Sequence, residues 1–233
     1  MQMHRVIAIV LFVGLACSRV AAADPFDDAS AAYKRGDHET ARRLFRPLAE
    51  KGNVGAQVNL ANLYALQGEG VYAKEAALWY RKAAEQGNAD GQTRLGALYS
   101  EGQGVLQDYA EAMLWYRKAA EQGNDDAQFS LGVMYDQGQG VPLDYAEAAL
   151  WYRKAAEQGH ARSQSNLGAL YSAGQGVPRD YVQAHMWFNL AASREDERHV
   201  RDSIVKNRDR VAKLMTLAQI AEAQRLAQDW KPK

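Results

Sequence analysis

One segment dominates the chain. DYAEAALWYRKAAEQG at Asp144–Gly159 returns almost unchanged as DYAEAMLWYRKAAEQG at Asp108–Gly123. A shortened copy, KEAALWYRKAAEQG, fills Lys74–Gly87, and a diverged one, DYVQAHMWFNLAASR, fills Asp180–Arg194. Trp79, Trp115, Trp151 and Trp187 mark the repeat, each 36 residues after the last. Self-similarity at this period dictates a stacked array, because one such unit is too small to bury its own apolar faces.

Inside a unit the periodicity is helical. In residues 125–160, Ala127, Leu131 and Tyr135 share one stripe of a first helix over Asp125–Asp136, with Gly132 beside them. Gly138-Gln139-Gly140-Val141-Pro142 follows. The glycines permit a positive φ where that helix stops, and the proline fits just ahead of the next one. Asp144 with Glu147 has the spacing of a capping box, repeated at Asp108/Glu111 and Asp180/Gln183. Ala148, Tyr152, Ala155 and Ala156 line the buried side of the second helix, and Gly159 ends it. The Trp-Tyr pairs fall at helical spacing among alanines, which points to core packing rather than a ligand-stacking stripe.

The first unit, residues 24–53, has a shorter turn. Helices over Phe26–Arg35 and His38–Lys51 flank Gly36-Asp37, with a bend expected near Arg43–Pro47 because Pro47 lacks a backbone donor. Tyr33, Gly36-Asp37, Ala41 and Phe45 resemble a tetratricopeptide helix pair. The next four units, residues 54–196, carry A-x3-LG-x2-Y, then G-x-GV-x-x-D, then A-x2-WY-x-KAA-x-x-G. This pattern resembles the Sel-1-like repeat, an elongated relative of the tetratricopeptide repeat. The first of the four departs from it: Ala61 replaces the glycine of Gly96, Gly132 and Gly168, and Leu66–Lys74 lacks the V-x-x-D cap. A tighter turn and a less firmly started helix are expected there.

After Ser193 the period is lost. REDERHVRD at Arg194–Asp202 reads as a solvated helix face. Val200, Ile204, Val211 and Leu214 recur at helical spacing, and Thr216 with Gln219 opens a last helix through Ile220, Ala223, Ala227 and Trp230. Residues 197–233 are thus expected to cap the array, with Leu217, Ile220 and Trp230 covering the last apolar face.

Residues 1–23 read as a secretory signal. Val6–Ala16 is an apolar run shorter than the ~20 residues of a bilayer span, and Ala21-Ala22-Ala23 offers a cleavage site after Ala23. A lipid anchor at Cys17 is the alternative fate of that segment. Cys17 is the only cysteine, so a chain cleaved after Ala23 has neither a disulfide nor a thiolate metal site. Loss of Arg5 and Arg19 leaves acidic residues slightly in excess, which excludes a global basic surface for nucleic acid. No later stretch is apolar enough for insertion into a membrane.

Enzyme chemistry finds little to stand on. Gly102/Gly104, Gly138/Gly140 and Gly174/Gly176 lack the third glycine or Lys-Ser/Thr of a phosphate loop. His38, His160, His185 and His199 have no metal-ligand spacing. Glu121 and Glu157 are placed to pair with Arg117 and Arg153 one helical turn away. Neither a cofactor nor a metal is expected.

What remains is a surface. On the first helix of each pair, the positions opposite the Leu/Tyr stripe are not needed for stacking. They are Gly55, Val58, Asn62 and Ala65; Asp90, Thr93, Ala97 and Ser100; Asp126, Phe129, Val133 and Asp136; and Arg162, Ser165, Ala169 and Ser172. Unlike the packing residues, these differ between units. The expectation is an all-α, right-handed solenoid of antiparallel helix pairs. The resemblance implies a monomeric, non-enzymatic scaffold in the bacterial envelope, binding a protein or peptide in its concave groove. The candidate groove residues are Asn62, Asp90, Thr93, Asp126, Phe129, Val133, Asp136, Arg162 and Ser165. Two alternatives are a β-lactam-binding or hydrolysing protein of the cysteine-rich type and a glycan-binding part of a polysaccharide secretion complex. The missing cysteines argue against the first, and the second needs exposed groove aromatics, for which only Phe129 and Tyr72 are candidates.

Overall fold

A computed structural model describes residues 24–233. The expectations placed on residues 1–23 lie outside them. The described residues form α1 (Pro25–Lys34), α2 (His38–Glu50), α3 (Val54–Ala65), α4 (Val71–Glu85), α5 (Ala89–Glu101), α6 (Tyr109–Glu121), α7 (Asp125–Gln137), α8 (Tyr145–Gln158), α9 (Ala161–Ala173), α10 (Tyr181–Arg194), α11 (Arg198–Ala212) and α12 (Leu217–Asp229). Each helix from α1 to α10 packs on the next, and α12 folds back onto α10. The all-α stacked array is therefore as expected. α2 runs unbroken through Pro47.

The helix starts show why the units repeat. Asn53, Asn88 and Asn124 cap α3, α5 and α7 through their side-chain oxygens, and His160 Nδ1 takes the same place on α9, accepting from the Ser163 N–H at 3.1 Å. Asp108, Asp144 and Asp180 each accept from two backbone N–H groups at the start of a second helix. The reciprocal half of the expected box does not form there. Glu111 instead accepts from the Trp115 indole N–H at 3.1 Å, satisfying a largely buried donor that the backbone cannot reach. The only two-way box among the described residues is Thr216/Gln219. α4 starts on Gly70 with no side-chain cap, as its missing aspartate implies.

The long turns lock neighbouring units together. Gly138 and Gly140 have φ of 67° and 71°, the left-handed region. Gly140 also lies so close to α6 that a Cβ there would meet Tyr109 Cβ at 2.5 Å; Gly104 and Gly176 press on the starts of α4 and α8 in the same way. Each turn thus covers the start of the preceding unit's second helix. The tryptophans lie buried, and Lys82, Lys118 and Lys154 each place an ammonium 3.9–4.2 Å from the ring of Trp79, Trp115 or Trp151. Within each pair, Gly96, Gly132 and Gly168 receive the rings of Tyr116, Tyr152 and Phe188.

Four buried glutamines form a second device, which the periodicity of apolar residues does not reveal. Gln57, Gln92, Gln128 and Gln164 each donate from Nε2 to a carbonyl in the last turn of the preceding unit, at Ala49, Ala84, Ala120 and Ala156, over 3.0–3.1 Å. Their Oε1 atoms accept from Gln86, Gln122 and Gln158 within their own units, at 2.7–2.9 Å. The amides of Gln57, Gln92 and Gln128 thereby tie their own helix to the units before and after the joint. Gln164 Oε1 has no partner, because Arg194 stands where the donor glutamine would be and lies over Trp230 instead.

Two expectations about charged and apolar residues fail. Arg117 and Arg153 do not pair with Glu121 and Glu157; each reaches to the next unit and donates to a tyrosine hydroxyl, Tyr135 at 3.1 Å or Tyr171 at 2.6 Å. A bond between units competes well against an exposed ion pair on one helix, which contributes only a few tenths of a kcal/mol. Glu157 is taken by Lys233, which meets it with both its ammonium and its backbone N–H at 2.9 Å. Leu214 and Leu217 fall at the corner between α11 and α12 and are 61% and 86% exposed. Trp230 caps as expected, but its companions against Met186, Trp187 and Leu190 are Ala223, Leu226 and Ala227 rather than Leu217 and Ile220.

Two outcomes follow for stability. Replacing Gln128 with Leu should cost about 1–3 kcal/mol in a urea melt, because it removes two buried hydrogen bonds and leaves the Ala120 carbonyl only the Gly123 N–H and the Gln158 amide only the Gly123 carbonyl. The same change at Gln164, whose oxygen is already unpaired, should cost less. Deleting residues 216–233 should uncover Met186 and Trp187 and produce aggregation or a broadened melt. A truncated chain that melts as sharply as the parent and stays monomeric would remove α12 from the capping role.

Candidate functional site

The first helices of successive units, α3, α5, α7 and α9, together with α11, line a run of adjoining clefts. One, of about 540 Å³, is bordered by Thr93, Arg94, Ala97 and Glu101 of α5, by Asp126 and Phe129 of α7, and by His160, Arg162 and Glu195. A cleft of about 190 Å³ joins it toward α3, lined by Val58, Asn62, Asp90, Thr93, Arg94, Asn124 and Asp126. Another of about 190 Å³ opens toward α11, between Phe129, Arg162, Ser165, Asn166, Val200 and Ile204. A small one of about 110 Å³ holds Phe129, Val133 and Tyr116. Phe129 borders three of the four.

The helical wheel therefore gathers eight of its nine candidates. Asn62 Oδ1 accepts from the Tyr80 hydroxyl at 2.5 Å, and burial pushes that hydroxyl's pKa up to about 12, so it stays a donor at any working pH. Asp90 accepts from Asn124 at 3.3 Å, and the Thr93 hydroxyl lies 3.1 Å from the Asn124 oxygen. Arg162 faces Glu197 at 3.5 Å. Phe129 is half-buried, its ring 4.8 Å from that of His160 and 6.0 Å from that of Tyr152. Asp136 is the exception, because it lines none of these clefts. It turns to Tyr152, whose hydroxyl donates to it at 3.3 Å.

His160, which the sequence places on the surface or in the groove rather than at a metal, borders the first of these clefts though it was not among the nine candidates. Its Nδ1 caps α9, so the proton sits on Nε2, which faces Asp126 Oδ1 at 3.4 Å. That hydrogen bond holds the Asp126 carboxyl below the usual carboxylate range, so it is a full negative charge at neutral pH. The signal was present: His160 follows Gly159 where Asn53, Asn88 and Asn124 follow Gly52, Gly87 and Gly123. Arg94 was missed. It stands one residue beyond the wheel positions chosen, yet it borders two clefts. Among the described residues no group of three or more His, Cys, Asp or Glu could hold a metal ion, and no helix is long and apolar enough to cross a membrane.

Asp136 gives a pH-dependent prediction. Burial raises its pKa above the ordinary 3.8, partly offset by the Tyr152 hydrogen bond. A carboxyl raised on folding contributes stability in full below the unfolded value and loses it as pH rises through the folded value. Asp136→Asn keeps an acceptor for Tyr152 without the charge. It should therefore raise the melting temperature at pH 7, and the gain should vanish as pH falls below about 4.

Comparison with known proteins now bears on this arrangement. The Sel1 repeat profile matches residues 30–53, 54–88, 89–124, 125–160 and 161–196. A Sel1 repeat protein from Oxalobacter formigenes is 30% identical over 83% of this chain and 86% of its own, with a TM-score of 0.66. The c5321 protein of uropathogenic Escherichia coli is 35% identical over 88% of this chain, which spans only 52% of c5321, with a TM-score of 0.54. A putative Sel1 repeat protein from Klebsiella pneumoniae, 22% identical over 81% of this chain and 91% of its own at a TM-score of 0.53, shares the fold. Comparison with curated proteins finds no match. The chain belongs to the Sel1 repeat family, whose members generally mediate protein–protein contacts and are generally non-enzymatic.

Proposed function

We propose that the chain is an exported, monomeric scaffold of the bacterial envelope that holds a partner polypeptide along the groove from α3 to α11. One observation carries this reading: on the same helices, the packing positions repeat while the cleft positions do not. Leu60, Leu95, Leu131 and Leu167 recur in the core, whereas Val58, Thr93, Phe129 and Ser165 succeed one another along the clefts. Repetition builds the wall, and variation along it supplies a surface that reads a particular segment.

The partner's chemistry follows from the lining. A basic group on the partner meets Asp90 and the ionised Asp126. An apolar side chain rests on Phe129. An acidic group reaches toward Arg94 and Arg162. Export and the envelope placement follow from the reading of residues 1–23 as a signal.

The test is a pull-down from envelope extract with residues 24–233, then affinity measurements on the captured partner. Phe129→Ala should weaken binding by about 1–3 kcal/mol, as truncation of an interface anchor does. Melting temperature is read on the same variant, since the ring also touches His160 and Tyr152. Lost stability with unchanged affinity would make Phe129 structural and take the anchor from the groove. Arg162→Ala, on an exposed side chain, should shift affinity with little change in melting.

A further inference from the structure

α11 stands outside the repeats, whose last match ends at residue 196, yet it forms one wall of the groove. Val200 and Ile204 face Phe129, Arg162 and Ser165 across the α11 cleft, and Glu197 reaches Arg162. It packs on α10 through Ile204 and Val211 against Ala184, Phe188 and Ala191. Only Ile204 and Val211 are buried on a helix rich in charge, and its first turn has no side-chain cap. Segments with few buried contacts are the first to open.

A histidine sits at this weak seam. His185 on α10 is only 4% exposed, and its Nδ1 is buried without a hydrogen-bond partner. The equivalent positions in the earlier units are Ala77, Met113 and Ala149, all apolar. One turn further on, Asn189 accepts from Arg208 of α11 at 3.2 Å. The charged groups facing the imidazole are Arg208 and Asp209, both of α11, and Arg208 has the larger effect. α9 and α12, the other helices against α10, meet it through Leu167, Leu170, Ala223 and Leu226.

We propose that α11 is a pH-sensitive wall of the groove: protonation of His185 releases α11 from α10 and removes the face that Val200 and Ile204 give to a bound segment. A neutral imidazole is tolerated in the seam. The Nδ1–H of an imidazolium there lacks an acceptor, and the ring lies beside the Arg208 guanidinium, which outweighs Asp209; separating the helices relieves both costs. Burial first, and Arg208 second, hold the ring's titration below the ordinary 6.5. The released state takes up a proton from that ordinary value downward, while the docked state resists it. Docking is therefore at full strength above about pH 6.5 and weakens as pH falls below it. The effect on partner binding rests on the groove reading above; the release of α11 does not.

Hydrogen exchange on residues 24–233 without any partner tests the release. Protection is compared at pH 7 and pH 5 after correction for intrinsic exchange rates. The wild-type chain should lose protection in α11 at pH 5 while α5–α8 keep theirs. His185→Met and His185→Ala, which install residues already used at the equivalent positions, should keep α11 protected at both pH values. His160→Asn, the residue of the other units, should behave in α11 as the wild type does. The proposal is overturned if wild-type α11 stays protected at pH 5, or if α11 opens equally in whichever His185 variant folds.

Discussion

A buried glutamine shared between units is the contact on which the stack depends. Apolar burial alone would let one helix pair slide or rotate on the next, because alanine surfaces are smooth and dispersion has little direction. A hydrogen bond from Gln128 to the Ala120 carbonyl has one register. It adds a second bond to a carbonyl that also holds the Gly123 N–H where α6 gives way to α7, and such a buried bond contributes about 0.5–1.5 kcal/mol. The same amide accepts from Gln158, so a shift of α8 disturbs the joint below it. Gly140 against Tyr109 and Arg117 on Tyr135 act at other points of the same joints. Stability in such an array is a sum of nearest-neighbour joints, and its ends are the places where a joint lacks its partner.

The C-terminal end shows this directly. Arg194 replaces the donor glutamine, leaving Gln164 half-satisfied, and its guanidinium lies over Trp230. Leu190 takes the place of the lysine that covers the other tryptophans, and Trp230 meets Trp187 edge-on. Together these changes turn a surface built to receive another unit into one that receives α12.

Much of this was legible in the residues. Tryptophan spacing gave the unit, Gly138 and Gly140 the turn, Asp144 the helix start, and the apolar stripe the core. Features that depend on the distance between units were not legible. Gln128 looks like any polar residue on a helix until α6 is placed beneath it. Arg117 has an acid one turn away in sequence but a better partner in the next unit. Leu214 and Leu217 continue an apolar spacing past the point where the chain turns away from its neighbour. The groove was legible for a simple reason: positions free of packing are those that fail to repeat. His160 and Arg94 are less legible because one precedes its helix as a cap and the other lies at the edge of the wheel. Asp136 was drawn off the groove by the Tyr152 hydroxyl, which no wheel displays.

The groove and the stack are thus two consequences of one repeat. Side chains that join units are held constant, and those lining the clefts are free to vary. The most direct measurement of that division is an NMR titration of isotopically labelled residues 24–233 with the captured partner. Perturbed resonances should cluster on Asp90, Thr93, Asp126, Phe129 and Arg162. A cluster on the outer faces of α4, α6 and α8, around the half-exposed Leu78, Leu114 and Leu150, with the groove unchanged, would contradict it.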